Sequence, residues 1–537
     1  MELLSKTVKT TGNVYIQEKN DNKRYTLSVT PESESVCLED ISVSFRFDYS
    51  EDDVYFLNGY QSWTYSPERT IKQYDDSLRF CPRLLDKKFG FSQYGDGYYV
   101  PKLSVRKLRK GLKKGYTYAY VRRGAEFFLF ASLSDNTGFT RIYLDPSSNT
   151  VTFQKDCTNR TVRSGENYLA LDIIFDKGSE KKVFDNWFEM MGIKALPAKD
   201  KVGYTSWYNC YQNISEQQIL HDLDGMKTLK VKPDIFQIDD GFETYVGDWF
   251  DIDKNKFPGR IEPIIKKILD NGYQAGIWLA PFVAEKNSVL FREHPDWFQQ
   301  KDGKPVFTGA NWSGGYALDP CNKEVREYIV NTVEHYKSMG ITLFKLDFLY
   351  AACMSSRPDK TRGEIMHESM SFLREVCGNA EILGCGVPLC SAFGKVEYCR
   401  IGPDMSLNYD DKPYMRLFHN ERPSTMHTQR NTVYRRQLNG RAFLNDPDVF
   451  LLRDENTTLS NGQKQTLATI NSLFGSVLFG SDDFGKYDSS KHDLFANLCE
   501  MLHAENISAE PMDIGKAHKI KVRYTVHGKE NESILQI

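Results

Sequence analysis

The strongest constraint on this chain is a rhythm that begins near residue 202. From there, short apolar runs alternate with helix-length amphipathic segments: VGYTSW at 202–207, then IFQID, QAGIWLA, ITLFKLD, EILGC, EYCRIG, RAFLND and SVLFGS, eight runs in all. Between them lie stretches such as KEVREYIVNTVEHYKSMG and GEIMHESMSFLREV, whose apolar residues recur at helical spacing. Strands that alternate with helices pair in parallel, because each parallel connection needs a crossover of helix length. Eight such units within roughly 280 residues match a (β/α)8 TIM barrel in count and size. A doubly wound sheet is the alternative.

The flanks follow another rhythm. Up to about residue 198, runs such as YTLSV, VSFRF, YTYAYV, EFFLFASL and TVTFQ alternate with polar turns, the pattern of a large antiparallel sandwich. Near the end, HKIKVRYTV and ESILQI read as strands of a small antiparallel sheet. The expected fold is therefore multidomain: an amino-terminal β-sandwich over 1–198, a barrel over 199–484 and a carboxy-terminal β-sheet domain over 485–537. A chain of 537 residues has the length for three such units.

Charge and composition exclude several function classes. A formal net charge of -3 and a pI near 6.4 leave no basic excess for a nucleic-acid or anionic-membrane partner. The amino terminus carries no sustained apolar segment before a small-residue cleavage site, and no 18-residue apolar run occurs. The 11 cysteines include no CxxC pair, which fits reduced thiols, so the expected location is cytoplasmic. Aromatic residues at 13% suit stacking on a sugar ring as well as a core.

In a barrel the chemistry sits at the carboxyl ends of the strands. Those ends supply Trp207 and Tyr208, Asp239 and Asp240, Trp278, Lys345 and Asp347, Cys385, Arg400 and Asp404, Asn445, Asp446 and Asp448, then Asp482 and Asp483, so carboxylates dominate one rim. In FKLDFLY, Lys345 and Asp347 stand two apart and share a face. A buried ion pair that merely satisfies itself is the bland alternative, but desolvation makes it costly. A lysine beside Asp347 would keep the carboxylate ionised, as a nucleophile requires. In IDDG, both acids reach one ligand only if the chain turns at Gly241; the alternative is a solvated loop. Carboxylates accept strong hydrogen bonds from sugar hydroxyls. In CRIGPDMS, an Asp404 facing Asp347 across a pocket would be pushed toward its protonated form, the arrangement of a glycosidase; a surface pair of Arg400 with Asp404 is the alternative. DIDKNKFPGRIE resembles a calcium loop but has Lys256 where that loop needs glycine. The ten histidines show no HxH or HExxH, and the cysteines no zinc spacing, so neither a metal nor an organic cofactor is expected.

The segments FQIDDGFE, GIWLAPF, FREHPDWF, YALDP, FKLDF, ILGCGVPL, RIGPD and FLNDPDVFLLR, in this order, resemble the compact bacterial α-galactosidases of glycoside hydrolase family 36. The likeness is strong over about 205–455, thinner before it, where NGYQSWTYSP around Trp63 is its clearest trace, and faint after about 485. The resemblance implies the three-part fold already described. It also implies retaining hydrolysis of terminal α-D-galactose from small-molecule α-galactosides through a covalent galactosyl-enzyme. By that resemblance Asp347 is the nucleophile and Asp404 the acid/base. Asp239 and Asp240 hold the 4- and 6-hydroxyls, while Lys345 and Arg400 reach other ring hydroxyls. Trp278 and Tyr208 line the pocket, Cys385 sits near the 2-position, and Trp63 leans in from the first domain. Relatives that cleave α-N-acetylgalactosamine or transfer galactose to another sugar are the alternatives within the class, a metal-dependent barrel hydrolase is a further enzymatic one, and a non-catalytic sugar-binding protein is the alternative outside it. A homo-oligomer is compatible with the sequence but not required by it.

Overall fold

The computed structural model describes residues 2–21, 23–73, 94–95, 112–415, 419–514 and 518–537. Among the described residues before 179 the chain forms two antiparallel sheets, of six and seven strands. The strand Arg24–Pro31 shows why: its side chains alternate between buried and half-buried with the period of two that a packed sheet imposes. Leu27, Ile41, Phe45, Phe153 and Ile173 belong to the core shared by the two sheets, with the Phe45 and Phe175 rings 4.8 Å apart. A helix, Glu180–Met191, follows inside the stretch that read as β-rich. It buries Val183, Phe184, Trp187 and Phe188, a helical spacing, and stops at Gly192 with φ 66°, the left-handed cap glycine favours.

The central element is one nine-stranded sheet. Its strands are β1 (Lys201–Thr205), β2 (Ile235–Ile238), β3 (Gln274–Leu279), β4 (Leu343–Leu346), β5 (Glu381–Gly384), β6 (Tyr398–Arg400), β7 (Leu444–Asp446), β8 (Val449–Phe450) and β9 (Val477–Gly480). Every pairing is parallel, in the order β7-β6-β5-β4-β3-β2-β1-β9-β8. Residues of β2 and β4 are buried throughout, which is why these strands are continuous apolar runs without alternation. The two strands at the ends of that order, β7 and β8, are consecutive in the chain and separated only by Pro447 and Asp448, with Asp448 at φ 74°. They are two halves of one strand position, interrupted where proline cannot donate to the ladder. The sheet thus curls back on itself in a barrel-like form, and eight strand positions correspond to the eight runs of the sequence.

Helices follow the strands, among them Glu216–Met226, Lys323–Ser338, Arg362–Cys377 and Asn461–Phe474. Thr361 with Glu364, and Ser460 with Gln463, form reciprocal capping boxes that fix where two of them begin. The final helix of the alternation, Ser489–Leu502, lies beyond the boundary expected at 484/485. Glu505–Asp513, Lys519–Val526 and Lys529–Gln536 then form a three-stranded antiparallel sheet. No helix among the described residues is long and apolar enough to cross a membrane.

Candidate active site

A cavity of about 510 Å³ opens at the carboxyl ends of the parallel strands. Seven of the ten expected site residues line it: Trp63, Asp239, Asp240, Trp278, Lys345, Asp347 and Asp404. Tyr208, Cys385 and Arg400 stand behind its wall, all three buried.

Asp347 sits just past the end of β4. Its N–H still donates to Leu279 O at 2.9 Å, but Phe348 turns sharply with φ 52°. That conformation is strained for a bulky residue, at a cost of about 1–3 kcal/mol. The Phe348 ring is held by Trp63 and Trp312, each with its centroid 5.1 Å away. The Asp347 carboxylate accepts the Phe348 N–H at 2.8 Å and the Trp278 indole N–H at 3.1 Å. Two donors on separate oxygens fix its orientation toward the cavity.

Lys345 does not pair directly with Asp347, as the spacing suggested. Its ammonium donates to Asp239 Oδ2 at 2.6 Å, reaching across the floor of the sheet from β4 to the end of β2. The i, i+2 rule sets which face a strand side chain occupies, but Asp347 has left the strand while the long lysine stem can span to another one. Burial works against the charge on Lys345, yet Asp239 outweighs it and holds the ammonium protonated.

Asp239 and Asp240 meet the same cavity because the chain turns at Gly241, as the sequence required. Gly241 has φ 115°, and a Cβ there would lie 2.8 Å from the Gln212 backbone. The Asp240 N–H donates to Asp239 Oδ1 at 3.0 Å, and Asp240 Oδ2 accepts Trp312 Nε1–H at 2.9 Å and Gln212 Nε2–H at 3.0 Å. Lys256, the residue that breaks the calcium-loop pattern, donates to the carbonyls of Gln212 at 2.8 Å and Gly241 at 3.0 Å. It braces the turn.

Asp404, beyond β6, remains 37% exposed to the cavity while its Oδ1 takes Arg400 Nη1–H at 2.9 Å. Its pKa is raised: desolvation is the main cause, the Arg400 charge opposes it, and the Asp347 charge adds to it. Arg400 also bridges Asp446 at 3.2 Å and Asp448 at 2.8 Å, and Tyr208 donates its hydroxyl to Asp448 at 2.5 Å. Burial, with Asp404 and Asp446 nearby, pushes Asp448 up to about 7 against the pull of Arg400. Arg400 therefore supports Asp404 from behind, while Tyr208 holds Asp448. Cys385 Sγ accepts Trp63 Nε1–H at 3.2 Å, and burial raises its thiol well above the usual range, away from a nucleophile's thiolate.

Trp63 belongs to the sandwich region and is carried into the cavity by a clamped loop. The fully buried Arg435 donates to Asn58 Oδ1 at 3.1 Å, Ser66 Oγ at 2.9 Å, the Ser62 carbonyl and the Ile401 carbonyl. Sequence reading missed Arg435, Trp312, Gln212 and Glu243. Trp312 rides on an excursion after β3, beside a small antiparallel sheet of Val283–Glu285, Phe307–Gly309 and Gly315–Ala317. Its signal was a tryptophan in a glycine-rich loop. Among the described residues His221, Asp222 and Asp483 could hold a metal, with ligand atoms within 4.8 Å of one another. None of them lines the cavity, and Asp222 already accepts from Tyr204, Asn209 and Gln218.

Residues 197–378 match the family model described as Melibiase. Alpha-galactosidase AgaA of Geobacillus stearothermophilus is 26% identical over 182 residues, covering 32% of this chain and 24% of that protein. Alpha-galactosidase 1 of Pediococcus pentosaceus is 26% identical over 185 residues, with the same coverage, 32% and 24%. Alpha-xylosidase XylQ of Lactiplantibacillus pentosus is 28% identical over 175 residues, covering 31% and 22%. The matched stretch thus spans about a quarter of the length of these relatives. Among solved structures, the α-galactosidase TtGalA of Thermus thermophilus, in complex with p-nitrophenyl α-D-galactopyranoside, superposes with a TM-score of 0.71 at 23% identity, covering 97% of this chain and 98% of that one. The family 36 α-galactosidase AgaA of Geobacillus stearothermophilus gives 0.63 at 12% identity, covering 96% and 71%. Residues 197–378 thus match the Melibiase family model, and the chain as a whole shares its fold with the solved α-galactosidases TtGalA and AgaA.

Proposed function

We propose that the chain is a retaining α-galactosidase built on a (β/α)8 barrel over 199–484, with the sandwich over 1–198 and the small sheet domain over 485–537. The observation that carries this reading is the convergence of Asp347 and Asp404, from the ends of β4 and β6, on one cavity with Asp239, Asp240, Lys345 and Trp278. Asp347, oriented by the Trp278 and Phe348 N–H groups, attacks the anomeric carbon. Asp404, whose raised pKa suits a proton donor, protonates the departing glycosidic oxygen as the C–O bond breaks. The galactosyl ester on Asp347 is then hydrolysed by water that gives its proton back to Asp404, restoring both groups. Retention needs these carboxyl groups about 5–5.5 Å apart.

Specificity follows from the floor of the cavity. Asp239 and Asp240 would accept the 4- and 6-hydroxyls of galactose, and a substrate with an equatorial 4-hydroxyl would leave buried acceptors unpaired, which discriminates strongly. Trp278, Trp63 and Trp312 offer apolar walls to the ring. No step calls on a metal or organic cofactor. Substrates would be small α-galactosides; raffinose and stachyose are ligands of solved relatives of the same fold. The test is labelling with a galactose-configured mechanism-based inhibitor followed by peptide mapping. The label is expected on Asp347; a label elsewhere refutes the mechanism. Parallel assays on p-nitrophenyl α-galactoside, α-N-acetylgalactosaminide and α-xyloside fix the sugar, and a preference for either of the latter two overturns the galactose assignment.

A further inference from the structure

Asp240 has a buried neighbour to which the proposed mechanism gives no task. Glu243, on the same turn, is 4% exposed, and its side chain is hydrogen-bonded to that of Asp240. Two carboxyl groups share a hydrogen bond only if one carries a proton, since an ionised carboxylate has acceptors alone. Their other contacts decide which one it is. Asp240 takes the N–H groups of Trp312 and Gln212 at 2.9 and 3.0 Å, a setting that favours the anion. Glu243 takes only backbone contacts, a long one from Gly241 N–H at 3.3 Å and one from its own N–H, and its Oε1 is buried with no N–H or hydroxyl donor.

Building on the reading that Asp240 anchors the sugar, we infer that Glu243 is a positioning residue: as a neutral acid it donates to Asp240 and aims that carboxylate at the substrate hydroxyls, and its ionisation as pH rises weakens sugar binding. The charged and titratable groups around the pair are Asp239, Lys345, Lys256, Glu285 and Tyr336. Lys345 is committed to Asp239 and Lys256 to two backbone carbonyls, so neither cation bonds Glu243. Burial, and then the charge of Asp240, raise the Glu243 carboxyl well above its ordinary range.

The test is the pH dependence of KM for p-nitrophenyl α-D-galactopyranoside, measured separately from kcat, in which Asp404 would register. The wild-type KM should climb about tenfold per pH unit once Glu243 ionises. Glu243→Gln, whose amide donates without titrating, should flatten that climb to less than about threefold. A Glu243→Gln profile that keeps the wild-type climb overturns the inference. If the variant does not fold, calorimetry of galactose binding to the wild type, in two buffers of different ionisation enthalpy and at the pH where KM climbs, decides: proton uptake supports the inference, and no uptake overturns it. A wild type that neither turns over galactosides nor binds galactose sinks the galactosidase reading, and this inference with it. Normal turnover without a Glu243-dependent climb sinks the inference alone.

Discussion

Lys345→Met removes the cation from the floor of the cavity while keeping a stem of similar length. The Lys345 and Asp239 side chains are 8% and 3% exposed, and their charged atoms stand 2.6 Å apart. At an effective dielectric of about 20, two unit charges at that separation attract by about 6 kcal/mol. Part of this is offset by desolvation, so losing one partner of such a pair typically costs about 3–5 kcal/mol, chiefly because the other charge is left buried alone. Spread over a cooperative unit the size of the barrel, that is a fall in Tm of roughly 6–20 °C. A thermal or urea unfolding cycle over wild type, Lys345→Met, Asp239→Asn and the double variant measures it. Each single variant should be strongly destabilised, and the double variant should be less destabilised than the sum of the two, with a coupling of about 2 kcal/mol or more. Stability is the clean readout, because all three variants should lose activity. A Lys345→Met protein within about 0.5 kcal/mol of wild type, or a cycle with no coupling, would refute the claim that Asp239 depends on this lysine.

Asp404→Ala should lose far more activity on raffinose than on p-nitrophenyl α-galactoside, since a good leaving group needs little protonation; equal losses count against the acid role. Trp312→Phe deletes a donor to Asp240 in a contact worth about 1.5–3 kcal/mol, so KM should rise about tenfold or more with kcat less affected, as steady-state assays would show. Gly386→Ala places a Cβ 2.9 Å from the Trp63 ring at a backbone with φ 61°, and should displace that ring, lowering both Tm and kcat/KM. Asp448 binds a proton up to about pH 7 in the folded protein, whereas an unfolded carboxyl releases it near 3.9. Its folded pKa is raised, so its contribution to stability is full below about pH 4 and is lost as pH climbs through about 7. The difference in urea midpoint between wild type and Asp448→Asn, followed across that window, should change with this sign; a flat difference contradicts it.

The alternating unit was legible because its strands are buried on both faces and so appear as unbroken apolar runs, and because two of its helices announce their starts with Thr361/Glu364 and Ser460/Gln463. Closure was less legible: nothing local in RAFLNDPDVF says that Asp446 pairs toward β6 while Val449 pairs toward β9. The site was legible to the extent that strand ends set it. Asp239, Asp240, Trp278, Lys345, Asp347 and Asp404 reach the cavity from such ends. Strand-end position does not say how deep a side chain lies, and Arg400, Tyr208 and Cys385 share that register yet stand behind the wall. Trp312, Gln212 and Arg435 arrive from loops and a helix end, whose return paths are set by packing between distant segments and leave no periodic trace.

The four aspartates lining this cavity would repel one another into inactivity if they shared one environment. Asp239 is neutralised by Lys345, Asp240 is satisfied by the Trp312 indole and Gln212 amide N–H groups, and Asp347 by an indole and a backbone N–H. Asp404 alone keeps a substantial opening to the cavity, and its charge is contested, with burial and Asp347 favouring the neutral form and Arg400 the anion. That balance is what a group must have to give up a proton in one half of a reaction and recover it in the other. Arg400 is itself shared with Asp446 and Asp448, so its pull on Asp404 is diluted. Removing the competition by Asp448→Asn should let Arg400 bind Asp404 more strongly and stabilise its anion. The alkaline limb of kcat should then move to lower pH, and a limb that stays in place would mean that Asp448 does not tune the donor.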